Sequence, residues 1–386
     1  MAYMYLKRQM ESEIRDNLIQ LPVVAIVGPR QCGKSTLARR IIGDFENSIY
    51  LDLEKPSDLF KLDEPEIFLG SNRGKLICLD EIQRRPEIFP VLRSFVDETG
   101  TSGQFLILGS ASPELLRQSS ESLAGRIAYT ELMPFTWNEI SSMADISWER
   151  YLERGGFPRS LICTSSSASL KWRLNFIRTY IERDIFQLGF NIPSLTLHRL
   201  LLMCAHSHGQ CQNLSKIGDS LGVSHTTVRK YIDILVHTYI LMVLPPFEAN
   251  LKKRLVKTPK IYFRDSGILL ALLGIDDFSQ LLGHPIFGSS WEGMAIINII
   301  ASNPGWNPSF YRDSNGTEID LVLEKGGRLK AFECKASATP SLNCGFWTAM
   351  SELNIGEAFV VAPVSSAYPI KNNVKVIPLG EIASNY

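Results

Sequence analysis

Gly28-Pro29-Arg30-Gln31-Cys32-Gly33-Lys34-Ser35 constrains this chain more than any other stretch. It follows an apolar run, Val23–Val27, that reads as a buried strand, and it precedes Thr36–Ile42, which reads as a helix. Two glycines let the backbone wrap closely around phosphate oxygens, and the amides of the loop and of the helix start point at the anion. In such a loop the lysine, here Lys34, reaches the β- and γ-phosphates, and the hydroxyl of Ser35 ligates Mg²⁺. Gly28 to Thr36, with Pro29, Arg30, Gln31, Cys32 and Gly33, therefore form the expected seat for a nucleotide. A strand–loop–helix unit of this kind commits the first part of the chain to a parallel α/β sheet covered on both faces.

The rest of that sheet is legible downstream. Ser48–Leu53, Lys75–Glu81 and Gln104–Ser110 are short, unbroken apolar runs, each closed by a polar residue where ligands meet such sheets, at the carboxyl ends of strands. Asp80 fits the acidic group that holds Mg²⁺ through water, and Glu81 the group that orients and deprotonates the attacking water. The alternative is that Asp80 and Glu81 cap the segment Ile82–Pro86. Ser110 stands where a polar residue senses the γ-phosphate, or else bonds its own turn. Arg126 reads as an arginine finger or a sensor of the γ-phosphate, or else as a solvated surface arginine.

The chain has 386 residues, too many for one core, so two or three domains are expected. Formal net charge is zero, which leaves attraction to nucleic acid to a local patch. No apolar run approaches the roughly 18 residues that span a bilayer. The seven cysteines are scattered and odd in number, as for reduced thiols in a cytoplasm. Cys204-Ala205-His206-Ser207-His208-Gly209-Gln210-Cys211 lacks a familiar zinc spacing and reads as a helix-to-helix junction.

Residues 141–200 read as a mostly helical lid. In Leu214–Leu235, Leu214, Ile217 and Leu221 give one helical face, Gly222 the turn and Ser224 the cap. Val228, Ile232 and Leu235 give the buried face of a second helix. With Ile240–Leu244 and Lys260–Phe263 as wing strands, residues 201–264 read as a winged helix. Between Ser224 and Arg264 stand Arg229, Lys230, Lys252, Lys253, Arg254, Lys257, Lys260 and Arg264, against Asp233 and Glu248. That excess favours a DNA phosphate backbone as partner, with packing against protein as the competing use.

Glu318–Lys325 and Arg328–Lys335 read as two strands around Gly326-Gly327. A two-residue loop sets Lys325 opposite Arg328, hence Asp320 opposite Glu333 and Glu318 opposite Lys335, all on one face. Opposed carboxylates repel unless a cation neutralises them, and Lys335 would place or deprotonate a water. A solvated face of mutually satisfied charges is the plain alternative. Arg312 and Asp313 precede the hairpin and are placed beside the same cleft.

These motifs carry two resemblances. GPRQCGKST, LDLEKP, LICLDEIQRRPEIFPVLRSFVD, FLILGSAS and SLAGR, followed by Glu131–Phe135, Gly155–Pro158 and Tyr180–Ile185, resemble a prokaryotic AAA+-related P-loop ATPase family over nearly the whole chain. Typical AAA+ members carry asparagine where this chain has Ser110. Asp320-x(12)-Glu333-x-Lys335 resembles the PD-(D/E)xK nuclease-like fold, whose resolvase-like members add a glutamate from an upstream helix. Glu292 is the candidate here, although Ser289-x-x-Glu292 also fits a capping box. The resemblances imply ATP and Mg²⁺ as cofactors, a P-loop ATPase domain over 1–140 and a nuclease-like α/β domain over 265–386. Metal ligands would be Ser35 and Asp80 in the first, and Asp320, Glu333 and Glu292 in the second. ATP hydrolysis driving action on DNA is the expected function, and a nucleotide-controlled protein-binding switch with an inactive nuclease-like domain is the alternative. Oligomeric state stays open.

Overall fold

The computed structural model describes residues 5–110, 119, 121–248, 256–371 and 373–382, without the side chain of Ser110. The chain divides into two compact units, one running to Phe135 with His237–Tyr239, the other comprising Thr136–Val236 and Ile240 onward. Among the described residues no helix is long and apolar enough to cross a membrane.

The first unit is a five-stranded parallel sheet of β1 (Val23–Gly28), β2 (Ser48–Asp52), β3 (Leu76–Asp80), β4 (Phe105–Ser110) and β5 (Ile127–Glu131), in the order β2-β3-β4-β1-β5. Every residue of β1 and β3 is buried, as the continuous apolar runs require of strands covered on both faces. One cover packs Ile14, Leu18, Leu37, Ile41 and Leu106 together; the other packs Leu51, Phe89, Leu92 and Phe105. Parallel register sets Gly28 beside Ser110 and Asp80 beside Asp52, so all four close strands at the same carboxyl edge.

In the second unit a core runs from Phe157, Phe176 and Tyr180 through Leu200 and Leu201 to Val228, Ile232, Phe263 and Leu269. The helical segment after residue 141 thus shares its interior with the segment read as a separate domain. Helices Ser194–His206, Leu214–Leu221 and His225–His237 accompany a small antiparallel sheet. It consists of β6 (Gln210–Cys211), β7 (Leu241–Leu244) and β8 (Lys260–Phe263), ordered β6-β8-β7. Asn213 caps the middle helix through the Lys216 amide, and Ser224 caps the third through Thr227. Gly218 is required where they meet: a Cβ there would stand 2.6 Å from the Val223 carbonyl oxygen.

The same unit carries a six-stranded mixed sheet of β9 (Asn307–Arg312), β10 (Glu318–Lys325), β11 (Arg328–Cys334), β12 (Glu357–Val361), β13 (Tyr368–Lys371) and β14 (Val374–Ile377). Its order is β13-β14-β12-β11-β10-β9. Lys325 pairs with Arg328 and Leu321 with Phe332, the register the two-glycine loop dictates. Helices Phe287–Ser302 and Cys344–Glu352 pack on β11 and β10 respectively, burying Trp291, Ile299, Phe346 and Ala349.

Candidate functional site

At the carboxyl edge of the parallel sheet, β1 turns through Gly28 into the helix Lys34–Ile42. A side chain at Gly28 would drive a Cβ to 2.1 Å from the Leu132 carbonyl oxygen, and Gly33 adopts φ 105°, so both glycines are obligatory. Gln31, at φ 63°, adds a left-handed residue that no glycine relieves. Lys34 is buried, and its ammonium donates to the carbonyls of Gly28 (3.0 Å) and Pro29 (2.8 Å). Arg8, which the sequence did not single out, braces the loop: its guanidinium donates to the Cys32 carbonyl at 3.0 Å and lies 4.6 Å from the centre of the Phe135 ring.

Asp80 is buried at the end of β3; Tyr50 donates its hydroxyl to one carboxylate oxygen, and the Glu81 amide donates to the other at 3.0 Å. Glu81 sits at φ 57° with its carboxylate bonded by Gln83. Burial pushes Glu81 above the usual carboxylate range, against the pull of the Lys34 ammonium. Lys34, Asp80 and Glu81 thus converge on one edge, as expected. Ser35 lies in the first turn of the helix, Thr36 is exposed beside it, and the Ser110 backbone pairs next to Gly28.

Arg126 needs correction. It precedes β5, a strand absent from the sequence reading, and its carbonyl accepts from the Val23 amide at the start of β1. It therefore lies at the amino end of the sheet, the full length of β1 away from the cradle. There its guanidinium donates to both carboxylate oxygens of Asp97, at 2.5 and 3.0 Å, and to the Ala124 carbonyl. It cannot act as an arginine finger on its own chain's nucleotide.

In the second unit a cavity of about 370 Å³ is lined by Lys260, Glu292, Glu318, Asp320, Glu333 and Lys335, with Arg312 and His208 beside them. Glu292 lies in the second turn of its helix, which begins at Phe287 with no side-chain cap, so the capping-box reading of Ser289 and Glu292 fails. Its Oε1 accepts from Tyr262 (2.5 Å) and Lys260 (3.2 Å). Lys260 also pairs with Glu318 at 2.7 Å. The hairpin ladder ends at Leu321 and Phe332; beyond it Glu318 pairs with Lys260 and Arg312, and Lys335 binds Glu333 at 2.7 Å, so Glu318 and Lys335 each have another ion-pair partner. At Asp320 a carboxylate oxygen accepts the Cys334 amide at 2.9 Å. Burial, then Glu292 and Glu333, push Asp320 well above the usual range; burial also raises Glu333. Burial opposes the charge on Lys260, yet Glu292, Asp320 and Glu318 raise it overall.

His208 and Lys260, which line this cleft, and Tyr262, which bonds Glu292, were missed. The Phe263 amide donates to His208 Nδ1 at 3.0 Å, which fixes the proton on Nε2, and burial lowers the ring to about 3. Gly293 makes room for it: a Cβ would stand 2.3 Å from His208 Nε2. Asp313 folds its own turn, accepting from the Asn315 and Thr317 amides. Cys204 is buried among apolar side chains, and no group of three or more His, Cys, Asp or Glu suited to a metal ion exists among the described residues.

The basic excess thins on inspection. Lys252, Lys253 and Arg254 lie outside the described residues, Lys260 is buried, and Arg264 donates to the Leu241 carbonyl. Arg229, Lys230 and Lys257 are exposed.

A model of a AAA domain matches residues 20–141, and models of two domains of unknown function, DUF8612 and DUF4143, match 145–279 and 287–382. Uncharacterized proteins of Mycobacterium tuberculosis and Mycobacterium bovis are each 40% identical over 378 residues, 97% of this chain and 84% of theirs. The chain belongs to their family. Residues 20–141 are a AAA domain, which supports ATP binding and hydrolysis. Among solved structures, the Thermotoga maritima RuvB Holliday junction branch migration motor is 18% identical, covering 62% of this chain and 90% of that one at a TM-score of 0.32. A Pyrococcus horikoshii signal transduction ATPase with a tetratricopeptide repeat sensor is 12% identical, covering 78% and 45% at 0.30.

Proposed function

We propose that this protein is a Mg²⁺-dependent ATPase that acts on DNA through a winged helix at 201–264 and a nuclease-like C-terminal domain at 265–386. The observation that carries the reading is the convergence of Glu292, Asp320, Glu333 and Lys335, from one helix and two strands, on a single cavity. At the nucleotide site Ser35 and Asp80 offer the hard oxygen donors that Mg²⁺ takes, and the ion would neutralise charge on the phosphates. Lys34 binds the phosphates, and Glu81, raised by burial toward the working pH, accepts a proton from the attacking water. The order of helices and strands around β6, β7 and β8 supports the winged helix, with Thr226, Thr227, Arg229 and Lys230 contacting phosphates without reading sequence.

A second reading is favoured by one observation: the carboxylates of the C-terminal cavity do not form a metal-ready group, and an ammonium lies among them. On that reading the domain is inactive, and nucleotide state controls binding of a protein. Incubation of branched and linear DNA with Mn²⁺, with and without ATP, decides between them. Wild type should cut and Asp320→Ala should not; Lys34→Ala should lose any ATP dependence. No cutting of any substrate rejects the nuclease in favour of the switch.

A further inference from the structure

The cavity that resembles a nuclease centre holds a cation that the resemblance does not include. Lys260 is 3% exposed, lies on β8 outside the hairpin, and reaches Glu292 and Glu318 at 3.2 and 2.7 Å. Its ammonium is also 5.3 Å from the centre of the Phe310 ring, a site suited to a cation. Four carboxylates (Glu292, Glu318, Asp320, Glu333) face Lys260, Lys335 and Arg312 across the cavity. One acceptor is left over: Glu333 Oε2 is buried without a hydrogen-bond partner, on a residue 5% exposed. A buried, unpartnered carboxylate oxygen on a residue that lines a polar cavity is costly unless a ligand completes it.

We propose that Lys260 is the resident cation of this cleft and competes with a divalent ion for Glu292, so that the ion enters beside Asp320 and Glu333 only when the ammonium withdraws. A lysine suits that role because a compact charge on a flexible four-carbon stem vacates a site without moving the backbone. The inference rests on the nuclease-like reading of the cleft for its choice of ion, and on the contacts of Lys260 for the competition.

The test is Mn²⁺ binding to the full, nucleotide-free chain, followed by the electron paramagnetic resonance signal of free Mn²⁺. Lys260→Met should bind one Mn²⁺ at least roughly tenfold more tightly than wild type, because a unit charge a few ångströms away is removed. Asp320→Asn added to Lys260→Met should abolish the gain. Lys260→Met/Glu318→Gln, which removes one charge of each sign, serves where the single variant folds poorly and should show the same gain. Equal affinity in wild type and a folded lysine variant overturns the competition. So does a wild type that already binds a tight Mn²⁺ sensitive to Asp320→Asn. Cleavage assayed on the same samples separates the two readings: tight Mn²⁺ binding by Lys260→Met with DNA left intact keeps the competition and rejects the nuclease.

Discussion

Removing Lys260 should cost the second unit a measurable share of its stability. At an effective dielectric near 20, contacts at 3.2 and 2.7 Å contribute about 5 and 6 kcal/mol of gross attraction. Desolvation of three charges offsets most of that, but cutting one partner leaves the carboxylates buried and unpaired, typically at about 3–5 kcal/mol. The Glu318 side chain is 28% exposed, so the lower end applies, about 3 kcal/mol. For Lys260→Met, with an m-value near 3 kcal/mol per molar, the urea midpoint should fall by about 1 M. Tryptophan fluorescence reads this unit alone, because all six tryptophans lie beyond residue 136. Glu318→Gln added to Lys260→Met should recover part of the loss, a coupling typical of contacting residues. A midpoint that falls by less than about 0.3 M, given the same m-value, would refute the picture of a buried ammonium holding two carboxylates.

Three further outcomes follow from the geometry. Asp320 has a folded pKa above its unfolded value, so the folded state holds its proton through that window, and stability falls as pH rises through it. Asp320→Asn should therefore raise the urea midpoint at neutral and higher pH, with the gain shrinking toward about pH 4; a constant gain at every pH would show that the charge is not the cause. Gly28→Ala forces the loop away from the Leu132 carbonyl, and binding of a fluorescent ATP analogue should weaken at least roughly tenfold while far-ultraviolet circular dichroism is unchanged. Replacing Arg229 and Lys230 by alanine should lower DNA affinity and reduce the slope of log affinity against log salt by about two; an unchanged slope would take the His225–His237 helix off the DNA.

The sequence exposed whatever depends on local chemistry. The cradle was legible because glycine spacing and the flanking apolar runs specify strand, turn and helix together. The hairpin register was legible from Lys325 to Leu321 because two glycines leave one way to pair. Past that point the ion pairs were not legible: Glu318 meets Lys260 and Arg312, and Lys335 meets Glu333, partners that hairpin pairing alone does not specify. Lys260 was counted as a surface base because nothing in Lys260-Ile261-Tyr262-Phe263 reveals that its partners arrive from Glu292 and Glu318, far along the chain. Arg126 was misplaced because β5 went unrecognised. A residue entering a strand parallel to β1 must lie opposite the loop that leaves it.

On the proposed reading, Glu81 serves ATP hydrolysis while the cradle serves binding. Phosphate release from ATP by wild type and Glu81→Gln, with ATP affinity measured on both, tests it most directly. In Glu81→Gln kcat should be lower by at least about a hundredfold, with ATP affinity within about threefold of wild type. Hydrolysis at the wild-type rate in Glu81→Gln would contradict it.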